Sequence, residues 1–137
     1  MARCVIDAST TLAWAFNEGG RGPALQPLLD ENELVAPWLW RLEVVHVVTR
    51  KERQKVLTLA AGTRLLEALE AMNVEIMPEP VNRTLVGLAQ AGRPYPLSAH
   101  DTVYLDLAMR LNLPLLTGDQ NLRDAAARVG VECPAVP

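Results

Sequence analysis

Four acidic residues occupy positions where stability alone does not explain an acidic side chain. Asp7 ends a short apolar run, Asp119 follows the last such run by two residues, and Glu43 interrupts a stretch that is otherwise apolar except for one histidine. Asp101 follows Ser98 by three residues, which is an ordinary pattern for the start of a helix. Because an isolated buried carboxylate is strongly disfavoured, we expect these groups to be compensated by something else in the fold.

Carboxylates at the carboxyl ends of parallel strands would share one edge of a sheet, which is where ligands bind in open α/β folds. Several carboxylates at one edge would repel one another and have raised pKa values unless a divalent cation neutralised them. A ligand set made only of oxygens indicates magnesium or manganese. Taken singly, each acid also has an ordinary interpretation: a turn former for Asp7, a helix cap for Asp101 or Asp119, and an ion pair with Arg41 or Arg50 for Glu43.

Other chemistries find less support in the sequence. The only histidines are His46 and His100, too few and in the wrong context for a zinc cluster or a Ser-His-Asp triad. No G-x-S-x-G, G-x-G-x-x-G or P-loop pattern occurs. A phosphatase with an aspartyl nucleophile would carry a second acid at the position of Ser9, and a receiver domain would carry a lysine on its last strand, whereas the final lysine is Lys55.

Strand-like and helix-like segments alternate along the chain. Continuous apolar runs predict strands at residues 4–6, 34–36, 74–77 and 114–117, with 132–133 as a possible edge strand. Helical spacing predicts helices after a Ser9 or Thr10 cap and over residues 25–29, 38–53, 58–72, 81–91, 98–111 and 122–129. This rhythm predicts an α/β fold with a parallel sheet of four to five strands covered on both faces. We expect one domain, residues 1–137.

The composition excludes several classes of protein. Half of the 137 residues are hydrophobic and the net charge is −3, so no overall basic field attracts nucleic acid. Cys4 and Cys133 are expected to be a buried and a surface thiol rather than a disulfide. The start of the chain has no export signal, and no apolar stretch approaches the roughly 18 residues of a membrane span. We therefore expect a soluble cytoplasmic protein without membrane contact.

Two further segments allow two interpretations each. A basic cluster, Arg50, Lys51, Arg53 and Lys55, would either complement the dipole at a helix end or bind phosphate. The Leu- and Ala-rich residues 57–69, with Trp38 and Trp40 upstream, would be either core or a groove for a partner helix or a second copy.

Four motifs in the chain resemble those of PIN domains and occur in the order of that family. They are residues 5–9 (VIDAS), 37–43 (PWLWRLE), 98–105 (SAHDTVYL) and 115–122 (LLTGDQNL). A compact PIN domain with nothing appended is most similar to a VapC-type toxin. The resemblance implies a magnesium-dependent endoribonuclease, with Mn²⁺ as a substitute, acting as the toxin of a toxin-antitoxin pair. It also implies RNA as substrate, a cognate antitoxin as partner and a homodimer.

The resemblance also implies roles for individual residues. The acidic metal site would comprise Asp7, Glu43, Asp101 and Asp119, supported by the hydroxyls of Ser9 and Thr117. His46 stands where the family usually has Asn, on the same helix face as Glu43, and would either support the site or be a neutral core histidine. Flanking phosphates would be held by Arg50, Lys51, Arg53, Lys55 or Arg93.

Two alternatives to a ribonuclease stay open. The chain would be a catalytically inactive PIN-like module that binds RNA or protein, with His46 as a trace of lost turnover, or a metal-dependent phosphohydrolase of small substrates. The first predicts binding that is insensitive to chelator, and the second predicts activity on nitrophenyl phosphates.

Overall fold

Four parallel strands form a single sheet in the computed structural model, which describes residues 2–137. The strands are β1 (Ala2–Ile6), β2 (Asn32–Pro37), β3 (Glu75–Met77) and β4 (Leu115–Leu116), in the spatial order β3-β2-β1-β4. The chain moves outward from β1 through β2 to β3, then returns to place β4 on the other side of β1. The strand order therefore reverses beside β1, which is the position where open α/β sheets bind ligands.

The sheet is covered on both faces, as the continuous apolar runs predict. Cys4, Val5 and Ile6 are consecutive in β1 and all buried, as are Leu34, Val35 and Ala36 in β2. Because successive side chains of a strand point to opposite faces, both faces must be packed against other elements. The α/β fold class is confirmed, with four strands in the part of the chain that the structure describes.

Seven α-helices connect and cover these strands within residues 2–137. They are α1 (Ala8–Ala15), α2 (Gly22–Asp30), α3 (Leu39–Arg53), α4 (Leu59–Glu70), α5 (Leu85–Gly92), α6 (Ala99–Leu111) and α7 (Gln120–Arg128), with a short 3-10 turn at Glu18–Gly20. Helix α3 packs on α4 as a hairpin, α5 packs on α6, and α6 contacts β1 and β2.

Three details of the predicted secondary structure were wrong: a helix cap, the start of a helix and an edge strand. Helix α1 is capped by Asp7 rather than by Ser9 or Thr10, because the Asp7 carboxylate accepts a hydrogen bond from the Thr10 N–H (2.9 Å). Helix α5 begins at Leu85 rather than at residue 81, because the Thr84 hydroxyl caps it through the Gly87 N–H (2.9 Å). Residues 132–133 form no strand, although the Glu132 carbonyl accepts a hydrogen bond from the Leu115 N–H (2.9 Å).

The Leu- and Ala-rich segment at residues 57–69 contributes to the core along one face only. Within α4 only Gly62 and Leu69 are buried, and Leu59 is 73% exposed. Of the two tryptophans upstream, Trp40 is buried whereas Trp38 is half exposed. Leu65 and Leu66 are partly buried and pack against the core, so the interpretation of this segment as core is confirmed for one face of α4.

Both cysteines are free thiols, and neither lies on the surface. Cys4 is buried in β1, and burial raises the pKa of its thiol to about 11. Cys133 is half-buried against the core rather than exposed as expected. Among residues 2–137 no helix has the length and apolar character needed to cross a membrane.

The contact between α5 and α6 depends on the absence of a side chain at Gly92. A Cβ there would overlap the Thr102 hydroxyl, which is buried and donates to the Ser98 carbonyl (2.8 Å). We expect Gly92→Ala to lower the free energy of unfolding by about 1–3 kcal/mol, the usual cost of overpacking, in chemical denaturation.

Gly62→Ala is the matched control, since Gly62 is also a buried helical glycine. Its Cβ would meet only the flexible end of the Glu52 side chain, so we expect no loss and a gain of up to about 1 kcal/mol from helix propensity. Equal losses in the two variants would contradict this account of the helix contact.

Candidate active site

Asp7 lies at the carboxyl edge of the sheet, where the strand order reverses. Ile6 pairs with Leu116, so the next residues of the two strands, Asp7 and Thr117, lie side by side. Asp7 is only 5% exposed, and one of its carboxylate oxygens, Oδ2, accepts hydrogen bonds from the Ser9 hydroxyl (2.9 Å) and the Thr117 hydroxyl (2.5 Å). The register of β1 and β4 therefore fixes the position of this carboxylate.

Thr117 links Asp7 to Asp119. Its buried hydroxyl donates to Asp7 and also accepts a hydrogen bond from the Asp119 N–H (3.0 Å). The exposed Asp119 side chain caps α7 by accepting from the Leu122 N–H (2.9 Å). Asp119 is thus both a helix cap and a neighbour of the site, so neither sequence interpretation excluded the other.

A second chain of hydrogen bonds ties Asp7 to α3. The Asp7 carbonyl accepts from the Thr11 hydroxyl (2.9 Å), and that hydroxyl accepts from the Trp40 indole N–H (3.0 Å). Trp40 and Thr11 are both buried. The start of α3, which carries Glu43, is therefore attached to the first turn of α1.

Glu43 is half-buried and is compensated by a phenol rather than by a cation. Its Oε1 atom accepts a hydrogen bond from the Tyr104 hydroxyl (2.6 Å). The proposed ion pair with Arg41 or Arg50 was wrong. None of the five ion pairs found within residues 2–137 includes Asp7, Glu43, Asp101 or Asp119.

The pKa of the Asp101 carboxyl group is affected by the charges of the other three acids. Asp101 lies in the first turn of α6, where the Ser98 hydroxyl caps the helix by accepting from the Asp101 N–H (3.1 Å). Burial raises the pKa of its carboxyl group most, and the charges of Asp119, Asp7 and Glu43 raise it further, while the Ser98 hydroxyl lowers it. The structure therefore brings all four predicted acids into one electrostatic neighbourhood.

The four carboxylates do not form a complete metal-binding site as they stand. Across residues 2–137, no three His, Cys, Asp or Glu side chains form a group that could hold a metal ion as they stand. The chemistry of the donors nevertheless fits a hard divalent cation, because all four are carboxylates and none is already paired with a cation.

The supporting and basic residues lie in different surroundings. Ser9 and Thr117 contact Asp7 as described, whereas His46 is exposed on α3, so its interpretation as a core histidine was wrong. Arg50, Lys51 and Arg53 occupy the last turn of α3, and Lys55 follows it. Lys51 lies over the Phe16 ring, 4.8 Å from its centroid, and Arg93 is exposed at the end of α5. Within residues 2–137, no side-chain hydrogen bond or ion pair joins His46 or these basic residues to the four acids.

Three residues near the acids were not among the predicted site residues. Tyr104 lies three residues after Asp101, a helical spacing that would have placed it on the same face. Arg123 on α7 donates to the carbonyls of Thr117 (3.0 Å) and Cys133 (3.1 Å), which no local pattern indicates. Arg21 lines a cavity of about 250 Å³ together with Ser9 and Asp119.

Comparison with known proteins assigns a family to this arrangement. The family model of the PIN domain matches residues 4–128. The chain belongs to the PIN domain family. The predicted resemblance is therefore confirmed at the level of the family.

Two curated relatives are similar over nearly their whole length. Ribonuclease VapC1 of Mycobacterium tuberculosis, from strains CDC 1551 / Oshkosh and ATCC 25618 / H37Rv, is 29% identical over 133 residues, covering 97% of this chain and 96% of the relative. This similarity extends to the segments that carry all four acids.

Solved structures share the PIN fold with this chain. The crystal structure of PAE2754 from Pyrobaculum aerophilum matches with a TM-score of 0.69 at 19% identity, over 96% of this chain and 83% of that one. VapBC2 from Rickettsia felis, bound to a DNA fragment from its promoter, matches with a TM-score of 0.66 at 11% identity, over 98% and 99% of the two chains. At these identities the likeness concerns the fold alone.

The raised pKa of Asp101 predicts a pH-dependent effect on stability. The folded chain holds this proton to a higher pH than the unfolded chain does, so stability falls as pH rises from the ordinary aspartate pKa of about 4 through the higher folded value. The Asp101→Asn side chain does not ionise, so the variant does not lose this stability as pH rises. In thermal unfolding with chelator, the difference in Tm between variant and wild type should shift in favour of the variant between roughly pH 3 and pH 7.

Asp124→Asn is the control, because Asp124 is an exposed acid on α7 whose carboxylate accepts from the Gln120 side chain (2.7 Å). It should show no such pH-dependent gain. A Tm difference for Asp101→Asn that stays constant across this pH range would contradict the raised pKa of Asp101.

Proposed function

We propose that this PIN domain is a metal-dependent endoribonuclease that cleaves RNA phosphodiester bonds. The observation that carries the proposal is a group of four carboxylates near the sheet edge, in which the charges of three raise the pKa of the fourth, Asp101, and none has a cationic partner in the described residues. Helix capping accounts for Asp7 and Asp119 singly but not for the gathering of four acids, so a function is the better explanation. Its curated relatives are named ribonucleases, which supports the same class of activity.

Asp7, Glu43, Asp101 and Asp119 would hold Mg²⁺, with Mn²⁺ as a substitute. When bound, the cation would lower the pKa of a coordinated water and offset negative charge on the phosphate. Because no three ligands form a group in the described residues, binding would have to bring the carboxylates closer together. The attraction of each carboxylate to the cation would then offset the repulsion between the carboxylates.

The chain's own residues would prepare this site and hold the substrate. The hydroxyls of Ser9 and Thr117 keep the Asp7 carboxylate in one orientation, and Thr117 keeps the Asp119 backbone beside it. Arg21, in the cavity next to Ser9 and Asp119, is a cation that would attract an RNA phosphate. We keep His46 as a proposed supporting residue, and Arg50, Lys51, Arg53, Lys55 and Arg93 as proposed contacts to flanking phosphates.

Asp7→Asn should abolish RNA cleavage while the chain stays folded. Asparagine keeps an oxygen that can accept from the Thr10 N–H, so the cap of α1 survives, but the site loses a charge. We expect cleavage of total RNA in Mg²⁺ to fall roughly 100-fold or more, since removing one electrostatic group at a reaction centre typically costs that much.

The exposed Asp124→Asn is again the control and should cleave RNA at the wild-type rate. The wild type should be inactive in chelator and recover with Mn²⁺. Folded Asp7→Asn that cleaves RNA normally would refute the assignment. RNA binding that ignores chelator, without cleavage, would favour an inactive binding module, and turnover of nitrophenyl phosphate but not RNA would favour a small-substrate phosphohydrolase.

We further propose that the chain acts as the toxin of a toxin-antitoxin pair and forms a homodimer. The curated relatives carry the name VapC1, and one structural neighbour is the VapBC2 complex bound to promoter DNA. Co-expression with the small protein encoded next to its gene should give a stable complex in which RNA cleavage is suppressed. Light scattering should give twice the chain mass for the protein alone. If the neighbouring protein neither binds nor inhibits, this biological role is wrong.

A further inference from the structure

We propose that Tyr104 is a positioning residue that holds Glu43 in the orientation required to bind a divalent cation. The inference rests on the proposed function, because it concerns the same acidic site. It assigns a role to a residue that neither the acidic motifs nor the family resemblance singled out.

The Tyr104 hydroxyl holds the Glu43 carboxylate in place through a hydrogen bond. Tyr104 is 2% exposed, and its hydroxyl donates to Glu43 Oε1 at 2.6 Å. Within residues 2–137, Glu43 has no other side-chain hydrogen bond and no ion pair. The second carboxylate oxygen, Oε2, is therefore left without a protein donor and available to a cation.

Tyr104 also joins the elements that carry the other acids. It lies on α6 three residues after Asp101, so the same helix face supplies one carboxylate directly and anchors another. A single buried side chain thus relates Glu43 on α3 to Asp101 on α6.

This anchor would matter because glutamate is long and flexible. A free Glu43 side chain would have to give up rotamer freedom each time it bound a cation. The Tyr104 hydroxyl removes part of that cost in the folded chain, and as a neutral donor it does so without cancelling the negative charge of Glu43.

Tyr104→Phe tests the role, since phenylalanine keeps the buried ring and removes only the hydroxyl. We expect the affinity for Mn²⁺, measured by calorimetric titration, to fall roughly tenfold, as expected for one lost hydrogen bond to a charged group. Tyr95→Phe is the matched control, because Tyr95 is the only other tyrosine and its hydroxyl contacts none of the four acids in the described residues. It should bind Mn²⁺ like the wild type.

A Glu43→Gln background separates positioning from a general structural effect. If Tyr104 acts through Glu43, adding Tyr104→Phe to Glu43→Gln should weaken Mn²⁺ binding no further. An equal loss in both backgrounds, or wild-type Mn²⁺ affinity in a folded Tyr104→Phe, would overturn the inference. If the wild type cleaves RNA and Tyr104→Phe binds Mn²⁺ as tightly as the wild type, only this inference is wrong. If the wild type does not cleave RNA but Tyr104→Phe weakens Mn²⁺ binding, only the proposed function is wrong.

Discussion

The structure depends on a carboxylate that is buried at the edge of a parallel sheet. Asp7 is 5% exposed, and an unpaired charge at that depth would strongly destabilise the fold. Three short-range donors prevent this: the Ser9 and Thr117 hydroxyls and the Thr10 N–H. Each donor is placed by an element boundary, because Ser9 and Thr10 lie in the first turn of α1 and Thr117 directly follows β4.

The positions of the acids in the sequence could be derived in advance because they follow from local rules. Asp7 and Asp119 follow buried strands, and parallel strands present their carboxyl ends at one edge. Glu43 stood out because it interrupts an apolar run on a helix that had to pack against the sheet. These arguments need only strand order and helical spacing, so they held even where helix boundaries were displaced by several residues, as in α5.

What compensates each acid could not be derived in the same way. The partner of Glu43 is Tyr104, 61 residues away, and choosing it over the nearby Arg41 or Arg50 requires knowing how α3 meets α6. His46 shows the same limit, since an exposed and a buried face of α3 have similar apolar content and its exposure depends on what packs there. The α4 segment is core on one face only, and composition alone does not show which face, because leucine and alanine fill both buried and exposed positions of the hairpin.

The choice of neutral donors explains how the fold tolerates the acids without neutralising them. An arginine or lysine beside each carboxylate would satisfy the hydrogen bonds and also cancel the charge. Hydroxyl, phenol and backbone N–H groups satisfy the bonds at Asp7, Glu43 and Asp119 and leave the negative charges in place. Burial raises the pKa of Asp101, and the charges of Asp119, Asp7 and Glu43 raise it further. Neutral donors therefore keep the carboxylates oriented while preserving the charge that a divalent cation would bind.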